Sequence, residues 1–447
     1  MLKSFFLSIK EVFNRDFAEK AAVVFSGGVA VGFLNYVLHI ALGKIVSVDV
    51  YGEIESLLAL FSIFSILFLS VGTLSAKYHS SAKAEKNEAF SYYLVLFFRK
   101  KLLIPGIVIL AVGIAASPFI AGFLKLSSPV SVVILFASIF VFIFMAINNG
   151  ALRGWQEFKQ IRLAGVARAF VKLAAGVALV LFGFSLNGVM LALFLSSLAA
   201  FWITNLFVRK YKKAYYNSKK EVKHSSRIKF AGMRKYAVSV LLGTMAINLL
   251  LQADMVVAKH NLSPEEAGRY GALMIVGKII FFVSGSLVPV VFSMSAESYQ
   301  KNIRTISIFF NAVLLLLLIA LPACLFYFLF PELILEFLFS SQYLGASQYL
   351  GWLGIQAFLF SLATLIYHYL LSLERVAISY YFIAIAISFF FALLFFGKSI
   401  GEIVFINIVF QLIAIATGLA IAYKEKSGGF FSKKRKSNTF DKSVNPV

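Results

Sequence analysis

Charged side chains stand inside several long apolar runs of this sequence, where their types and spacing could do chemistry. Arg168 and Lys172 lie four residues apart in one run, Lys278 lies in another, and Asp254 interrupts a third. An ionisable group within a bilayer is costly unless it faces a protein interior or water. These four residues therefore predict a polar cavity, and three cations against one acid favour an anionic ligand.

Arg168 and Lys172 share a helix face that is rich in glycine. At 100° per residue, Gly165, Lys172, Gly176 and Gly183 form one stripe, with Arg168 about 60° away. At a rise of 1.5 Å per residue, Arg168 lies about 9 Å and Lys172 about 15 Å from the nearer membrane surface. The alternative is a glycine face that packs on a neighbouring helix while the cations reach the headgroups. It suits Arg168 better than Lys172, which lies near the midplane.

Asp254 and Lys278 lie in consecutive apolar runs, and we expect them to pair between adjacent helices. Such a pair would offset part of the desolvation cost of both charges. A rival interpretation makes Asp254 a ligand of Na⁺ or H⁺ together with Asn248 and Gln252. Helical geometry weakens it, because Asp254 lies about 160° from the face that Asn248 and Gln252 share. A third interpretation exposes Asp254 to headgroups at a helix end, beside Lys259.

Further polar residues in the apolar runs give weaker signals. Asn35, His39, Asn248 and Gln252 are candidates for a polar cavity wall, although a lone histidine in an aromatic-rich helix is more often a packing residue. No cluster of His, Cys, Asp or Glu has metal-ligand spacing, and no phosphate-binding G-x-x-x-x-G-K-[ST] loop occurs. The sequence therefore predicts no catalytic residue, no metal and no cofactor, apart from a coupling Na⁺ or H⁺.

The elements that must position these residues are long apolar helices. The 447 residues are 60% hydrophobic and only 14% charged, with a mean hydropathy of +0.88, far from the composition of an ordinary soluble domain. A bilayer core of about 30 Å takes roughly 20 apolar residues per helix. Runs of this length predict an all-α polytopic membrane protein with about twelve transmembrane helices. They cover residues 21–46, 54–76, 102–124, 129–151, 163–184, 186–208, 236–258, 270–294, 305–330, 347–373, 376–397 and 400–423.

The formal charge of +22 is distributed unevenly along the chain. With the N-terminus inside, 34 of the 42 Lys and Arg side chains fall in cytoplasmic segments, and eleven of these lie in residues 209–235. Lysine and arginine concentrate on the cytoplasmic side of membrane proteins. We therefore expect a multi-pass protein of the plasma membrane with both termini in the cytoplasm. Its basic loops are expected to contact membrane lipids rather than nucleic acid.

The basic loop divides the twelve spans into two sets of six, and a short repeat crosses that divide. VSVDVYGEIESLLAL, residues 46–60, resembles LSPEEAGRYGALMIV, residues 262–276, with Gly52 and Gly268 at the same place. Each copy is expected to form a short polar turn before a new apolar helix. A duplicated transporter would place its site between the halves, although acidic caps at helix starts are common. We predict six-helix bundles at 1–208 and 236–424, a basic cytoplasmic linker at 209–235, and a disordered basic tail at 425–447.

Four stretches of the sequence carry a family resemblance. They are Tyr51-Gly52-Glu53, NNGALRGWQEFKQIRLAGVARAFVKL (148–173), QADMVVAKHNLSPEEAGRYGALMIVGKI (252–279) and SLVPVVFSM at the end of the eighth run. The chain resembles the superfamily of multidrug, oligosaccharidyl-lipid and polysaccharide flippases, specifically its polysaccharide and O-antigen branch. This resemblance implies two six-helix bundles around a central cavity that opens to alternate faces of the membrane. It also implies cavity cations at Arg168, Lys172 and Lys278 and makes Asp254 the acid of the seventh span. Twelve spans instead of fourteen disfavour the lipid II branch.

The predicted function is a flippase, and not an enzyme, that moves a polyprenyl-(pyro)phosphate-linked oligosaccharide from the cytoplasmic to the outer leaflet for cell-surface polysaccharide synthesis. Fixed cations in a wet cavity would neutralise the phosphate as it crosses. Candidate partners are a glycan polymerase or glycosyltransferases of the same pathway. A multidrug or cation antiporter is the nearest alternative, but it should carry acids rather than bases in its first bundle. A membrane glycan polymerase or ligase is less favoured, because the longest outer connection, Pro331 to Ala346, carries only Glu332 and Glu336.

Overall fold

The computed structural model of the protein describes residues 15–217, 234–285, 287–301, 303 and 305–427. Every regular element in these ranges is helical, which confirms the predicted all-α class. Residues 218–233 of the predicted linker and 428–447 of the predicted tail lie outside the described residues, so their roles remain predictions. The helices are α1 (Arg15–Ile45), α2 (Val48–Ala84), α3 (Glu88–Phe123), α4 (Val130–Gly154), α5 (Phe158–Leu179), α6 (Ser185–Val208), α7 (Lys212–Asn217), α8 (Arg234–Asn261), α9 (Pro264–Gly285), α10 (Leu287–Gln300), α11 (Ile306–Leu329), α12 (Pro331–Leu338), α13 (Leu350–Ser372), α14 (Ala377–Phe396) and α15 (Ile400–Ser427).

Ten helical runs within the described ranges are long and apolar enough to cross a membrane. One of them, Phe158–Asn217, contains both the fifth and the sixth predicted span. The eighth predicted span is covered by α9 and α10, and residue 286 between them lies outside the described residues. With the fifth and sixth spans joined in one run, the described helices follow the order of the predicted spans.

The two helices that carry the repeat begin earlier than the apolar pattern predicted. Both copies of the repeat were expected to open with a polar turn, but α2 begins at Val48 and α9 at Pro264. At α9 the cap is reciprocal, because the backbone N–H groups of Ser263 and Glu266 each donate to the other residue's side chain, at 3.2 and 3.3 Å. The early start of α2 places Glu55 well inside a helix, where it points into the protein.

The boundary between α5 and α6 is a kink in the backbone rather than a loop. In the five residues after α5, Val180–Phe184, the backbone leaves helical geometry at Gly183, which has a φ of 87°. Ser185, two residues later, has a φ of 45°. Glycine adopts positive φ without steric penalty. The predicted boundary between the fifth and sixth spans therefore lies at the position where the chain turns.

The helices pack in two sets whose pairings repeat. In the first set α2 and α3 pack on α4, α4 packs on α6, and α5 packs on α1 and α6. In the second set α9, α10 and α11 pack on α13, α13 packs on α15, and α14 packs on α8 and α15. The same order of contacts recurs after six spans, which fits a two-bundle transporter and supports an internal repeat. The exact limits of the two bundles remain a prediction.

The two sets meet mainly through α2, which packs along α8 and α9. On the opposite side, α1 meets α9 at few points in the described ranges. One of them is the Tyr36 hydroxyl, which donates to the carbonyl oxygen of Ile275 at 3.5 Å. The interface between the halves is thus closed along one side and loosely joined along the other.

We call the end of the molecule where α1 ends and α2 begins the predicted outer end. The connection from α11 to α13 lies there, because the Tyr343 hydroxyl donates to the carbonyl oxygen of Gly43 at 3.1 Å. This connection consists of α12 and a 3₁₀ segment, Ser341–Tyr349. It corresponds to the outer connection predicted from Pro331 to Ala346.

Candidate functional site

Arg168 lies on α5 and points toward two aromatic rings rather than a carboxylate. Its guanidinium carbon is 5.1 Å from the ring centre of Phe142 and 5.6 Å from that of Phe61. Both distances fall in the range of cation–π attraction. None of the ion pairs among the described residues includes Arg168. The two rings thus hold the guanidinium in place, and no carboxylate of the described residues forms an ion pair with it.

Lys172 lies one helical turn beyond Arg168, and the two are close enough to repel each other. The sequence prediction that they share a face is met by the geometry of α5. The glycine stripe has a packing role as well, because β-carbons added at Gly165 and Gly176 would lie 3.5 Å from Val31 and 3.2 Å from Leu38 on α1. Gly165 and Gly176 therefore pack on α1, as the alternative interpretation expected. Arg168 lies against rings of the first helix set instead of reaching the headgroups, which that alternative did not expect.

The expected ion pair between Asp254 and Lys278 is not a direct contact. Lys278 donates from Nζ to Gln252 Oε1 at 2.8 Å, whereas Asp254 Oδ2 accepts a hydrogen bond from the Tyr270 hydroxyl at 2.7 Å. No ion pair joins Asp254 and Lys278 in the part of the chain that the structure describes. The predicted contact is wrong for a local reason: Lys278 is hydrogen-bonded to Gln252 instead, and Asp254 to Tyr270. The charges remain close enough to attract each other.

Asp254 is deeply buried, with 1% of its surface exposed, which contradicts the interpretation that it faces headgroups. Its Oδ1 accepts a hydrogen bond from the backbone N–H of Met255 at 2.8 Å. On the other oxygen, the amide of Gln356 on α13 approaches to 3.5 Å. Asp254 thus ties α8 to α9 and α13 within the second helix set.

Asn248 and Gln252 face the other helix set. Their amide nitrogens lie 3.4 and 3.2 Å from Ser62 Oγ on α2 and donate to it. Asp254 points away from both, as the helical geometry of the sequence predicted. These three side chains therefore do not surround a common ion in this conformation.

His39 and Asn35 differ in what they contact. Asn35 donates to the carbonyl oxygen of Val31 at 2.8 Å, four residues back on its own helix. His39 Nδ1 lies 2.5 Å from Glu55 Oε1, and Glu55 is only 2% exposed. Glu55 also interacts electrostatically with both Lys172 and Lys278. His39 is thus part of a buried cluster with charged side chains, whereas Asn35 bonds to the backbone of its own helix.

Glu55 is the important residue that sequence reasoning missed. It was counted with the acidic start of a repeat, so the balance of three cations against one acid was wrong. Two buried carboxylates, Glu55 and Asp254, interact with these cations: both attract Lys278, and Glu55 also attracts Lys172. The repeat could have drawn attention to Glu55, because the aligned position in the second copy is a glycine, Gly271, and not an acid. In the structure these two positions meet, because a β-carbon at Gly271 would lie 3.2 Å from Glu55 Cγ.

A small, partly open cavity lies in the second helix set next to Lys278. Gln411 on α15 is fully buried in its wall, and neither atom of its amide group has a hydrogen-bond partner among the described residues. Buried amides nearly always find a partner. The wall is otherwise apolar apart from Lys278 and Gln356. Its lining residues are Leu250, Leu251, Met274, Gly277, Lys278, Phe281, Leu353, Gln356, Ala357, Phe360 and Gln411.

The predicted outer end is closed by direct contact between the two copies of the repeat. A β-carbon added at Gly52 would lie 2.8 Å from the backbone nitrogen of Gly268, and one added at Gly268 would lie 1.8 Å from the carbonyl oxygen of Val48. Nearby, His260 stacks on Phe123 with ring centres 3.9 Å apart. The first turns of α2 and α9 therefore cross with no room for a side chain between them.

No three His, Cys, Asp or Glu side chains in the described ranges come together as a metal site requires. The chemistry that the arrangement can perform is electrostatic. Arg168, Lys172 and Lys278 line the interior with positive charge, and Glu55 and Asp254 offset part of it.

Comparisons with known proteins agree with this architecture. A family model described as polysaccharide biosynthesis protein matches residues 17–296, more than half of the chain. No curated protein matches the sequence. Among solved structures, an inward-facing multidrug resistance MATE family transporter of the MOP superfamily is similar, with a TM-score of 0.72, 14% identity, and coverage of 91% of this chain and 99% of that one.

Two other solved structures share the fold at similar identity. An outward-facing multidrug resistance MATE family transporter of the MOP superfamily gives a TM-score of 0.55 at 15% identity, covering 91% of this chain and 97% of that one. A MOP superfamily transporter from Pyrococcus furiosus, whose reversed pocket polarity suggests a different function, gives 0.59 at 15% identity, covering 90% of this chain and 96% of that one. With the family match, the fold and the membrane helices together, this chain is a multi-pass membrane transporter that belongs to the polysaccharide biosynthesis protein family and has the fold of the MOP superfamily.

Proposed function

We propose that this transporter moves a polyprenyl-(pyro)phosphate-linked oligosaccharide from the cytoplasmic to the outer leaflet by alternating access. The observation that carries the proposal is the interior group of Arg168, Lys172 and Lys278. Arg168 and Lys172 have no carboxylate bonded to them in the described ranges. A phosphate that crosses the hydrocarbon region needs such cations to replace its water.

The corrected charge balance still favours an anion. Around Arg168, Lys172 and Lys278 the described residues place two buried carboxylates, Asp254 and Glu55, and Glu55 is also bound to His39. This group of side chains therefore keeps a positive excess, which would repel a cationic drug. The cations are divided between the helix sets, with Arg168 and Lys172 on α5 and Lys278 on α9.

The loose side of the interface supports a substrate with a lipid tail. Because α1 and α9 touch at few points, a polyprenyl chain bound between them could remain in the bilayer while its headgroup enters the cavity. The closed crossing of α2 and α9 at the predicted outer end agrees with a conformation that is open to the cytoplasm. The higher TM-score with an inward-facing relative than with an outward-facing one, 0.72 against 0.55, also supports that conformation.

Coupling to Na⁺ or H⁺ would fall to Asp254, the buried acid that links three helices of the second set. Exchange of this carboxylate for the amide of Asn removes the charge that either ion requires. If Asp254 couples transport, Asp254→Asn should abolish the response to an imposed gradient. If it only holds Tyr270, the variant should keep that response and lose stability alone.

The proposal is tested in proteoliposomes with a fluorescent polyprenyl-pyrophosphate oligosaccharide, whose leaflet is read by an impermeant quencher. Lys172→Ala should abolish flipping, because the phosphate loses a cation near the midplane. Lys101→Ala is the matched control, since Lys101 is an exposed lysine on α3, and should flip at the wild-type rate. Normal flipping by Lys172→Ala would refute the cavity assignment.

A multidrug or cation antiporter remains the second candidate, because the fold is shared with multidrug transporters. The same proteoliposomes loaded with a cationic dye distinguish the two. Efflux of the dye under a Na⁺ or H⁺ gradient, without flipping of the lipid-linked sugar, would favour the antiporter.

A further inference from the structure

We propose that Glu55 is the resident counter-anion of the interior cations: it balances Lys172 and Lys278 when the carrier is empty, and the substrate's phosphate takes its place beside them. This inference rests on the proposed transport of a phosphate-bearing lipid. It assigns a function to a buried carboxylate that lies between the two helix sets.

The first support is the position of Glu55. It stands on α2 with 2% of its surface exposed, and its side chain packs against Gly271 at the start of α9. Gly271 occupies the equivalent position of the repeat. An acid from one copy therefore projects over a glycine of the other copy, which leaves space for the carboxylate on the line between the halves.

The second support is the set of charges that surround Glu55. Lys172 interacts with two charged groups, Arg168, which repels it, and Glu55, which attracts it. Lys278 interacts with both Asp254 and Glu55. Glu55 is thus the carboxylate that attracts both lysines, although they belong to different helix sets.

The third support is the contact with His39. The imidazole nitrogen lies 2.5 Å from Glu55 Oε1, so the carboxylate has a partner on α1 that does not depend on the lysines. A phosphate that displaces Glu55 from Lys172 and Lys278 would leave it bound to His39. The acid would then not become a buried charge without a partner, which is costly.

The consequence concerns the empty carrier. A flippase must return without substrate, and bare cations in a closed interior would oppose closure. Glu55 supplies the missing negative charge for that step and competes with phosphate in the loading step. Removing its charge should tighten binding and slow turnover.

Two substitutions on the same helix separate this role from a structural one. Glu55→Gln removes the charge and keeps the shape. Glu53→Gln is the matched control, because Glu53 is also a buried acid of α2 but accepts hydrogen bonds from the backbone N–H and hydroxyl of Ser127, at 3.0 and 2.8 Å. Binding of farnesyl pyrophosphate to purified protein, and of inorganic pyrophosphate as the lipid-free arm, gives the dissociation constants.

We expect Glu55→Gln to lower the Kd for farnesyl pyrophosphate about tenfold, the scale of one close charge pair at an interface, and to lower the rate of flipping. Inorganic pyrophosphate should bind more weakly but shift in the same direction. Glu53→Gln should leave the Kd unchanged. The double variant Glu55→Gln/Lys172→Gln should return the Kd toward the wild-type value, because the charge balance is restored.

An unchanged Kd in Glu55→Gln, with normal binding by the wild type, would overturn the counter-anion role. If Glu55→Gln does not fold, Glu55→Asp keeps the charge and must bind as the wild type does; a lowered Kd in that variant would equally overturn it. Failure of the wild type to bind either pyrophosphate would refute the proposed function instead.

Discussion

The Tyr270 hydroxyl and the Asp254 carboxylate link α9 to α8 inside the second helix set. The hydroxyl donates to the carboxylate at 2.7 Å, and both side chains are almost fully buried. A buried carboxylate that loses a donor keeps its desolvation cost without the hydrogen bond that offset it. Tyr270 therefore governs the stability of Asp254 whether or not the acid couples an ion.

We expect Tyr270→Phe to lower the free energy of unfolding by about 1.5–3 kcal/mol, the range for a hydrogen bond to a charged group. Tyr327→Phe is the matched control, because its hydroxyl donates to the neutral carbonyl of Val276 at 2.8 Å and should cost about 1 kcal/mol. Thermal unfolding in detergent measures both. If both variants lost the same free energy of unfolding, the hydrogen bond from Tyr270 to the Asp254 carboxylate would contribute no more than one to a neutral carbonyl.

At the residue scale, the sequence predicted the burial of individual side chains better than the contacts between them. Arg168, Lys172, Lys278 and Asp254 all lie in the interior, since charges in apolar runs must avoid lipid. Their partners were not predictable, because a partner on another helix depends on how the helices rotate against each other. Glu55 was missed for a related reason, as it precedes the most apolar part of its helix.

Among the elements, α2 and α9 depend most on small residues, because their first turns cross at Gly52 and Gly268. We expect Gly268→Ala to lower the free energy of unfolding by roughly 1–3 kcal/mol, the usual cost of overpacking, since its β-carbon would meet a backbone oxygen at 1.8 Å. It should also reduce flipping, because the predicted outer end could not close. Thermal unfolding and the proteoliposome assay measure these effects.

Gly122→Ala provides the control at the same end of the molecule. A β-carbon at Gly122 would meet nothing within 4 Å, so this variant should keep its stability and its transport rate. If Gly122→Ala and Gly268→Ala had the same stability and transport rate, the contact between α2 and α9 would accommodate a β-carbon at Gly268 without cost.

Element boundaries show where an apolar pattern stops being informative. The boundary between the fifth and sixth spans was placed next to the observed kink, because two spans of ordinary length cannot fit without a break there. Gly183 itself was expected on the helical stripe of α5, but its φ of 87° places it in the kink. The starts of α2 and α9 were placed too late, because their first turns carry acids and glycines that are buried by contact between the halves. Hydropathy measures contact with lipid, and these turns contact protein.

For the whole molecule, orientation follows from the charges of the loops. We expect cysteines at Lys125 and Glu85, both exposed, to lie on opposite sides of the membrane, since 34 of the 42 basic residues fall on one side. Cys324 is the single cysteine of the sequence, so one substitution provides a cysteine-free background. In intact cells an impermeant maleimide should label Lys125→Cys and spare Glu85→Cys. The reverse result would invert the assignment of inner and outer ends.

The tight crossing of Gly52 and Gly268 also makes the transporter easy to observe by spectroscopy. Ser47 precedes α2 and Glu265 lies in the first turn of α9, and both are exposed, so each can carry a spin label without disturbing the contact. Because the two backbones touch between these positions, the label-to-label distance starts near its minimum. Separation of the halves at this end should therefore lengthen the distance between the labels. The closed state gives a short reference distance because Gly52 and Gly268 have no side chains to hold the helices apart.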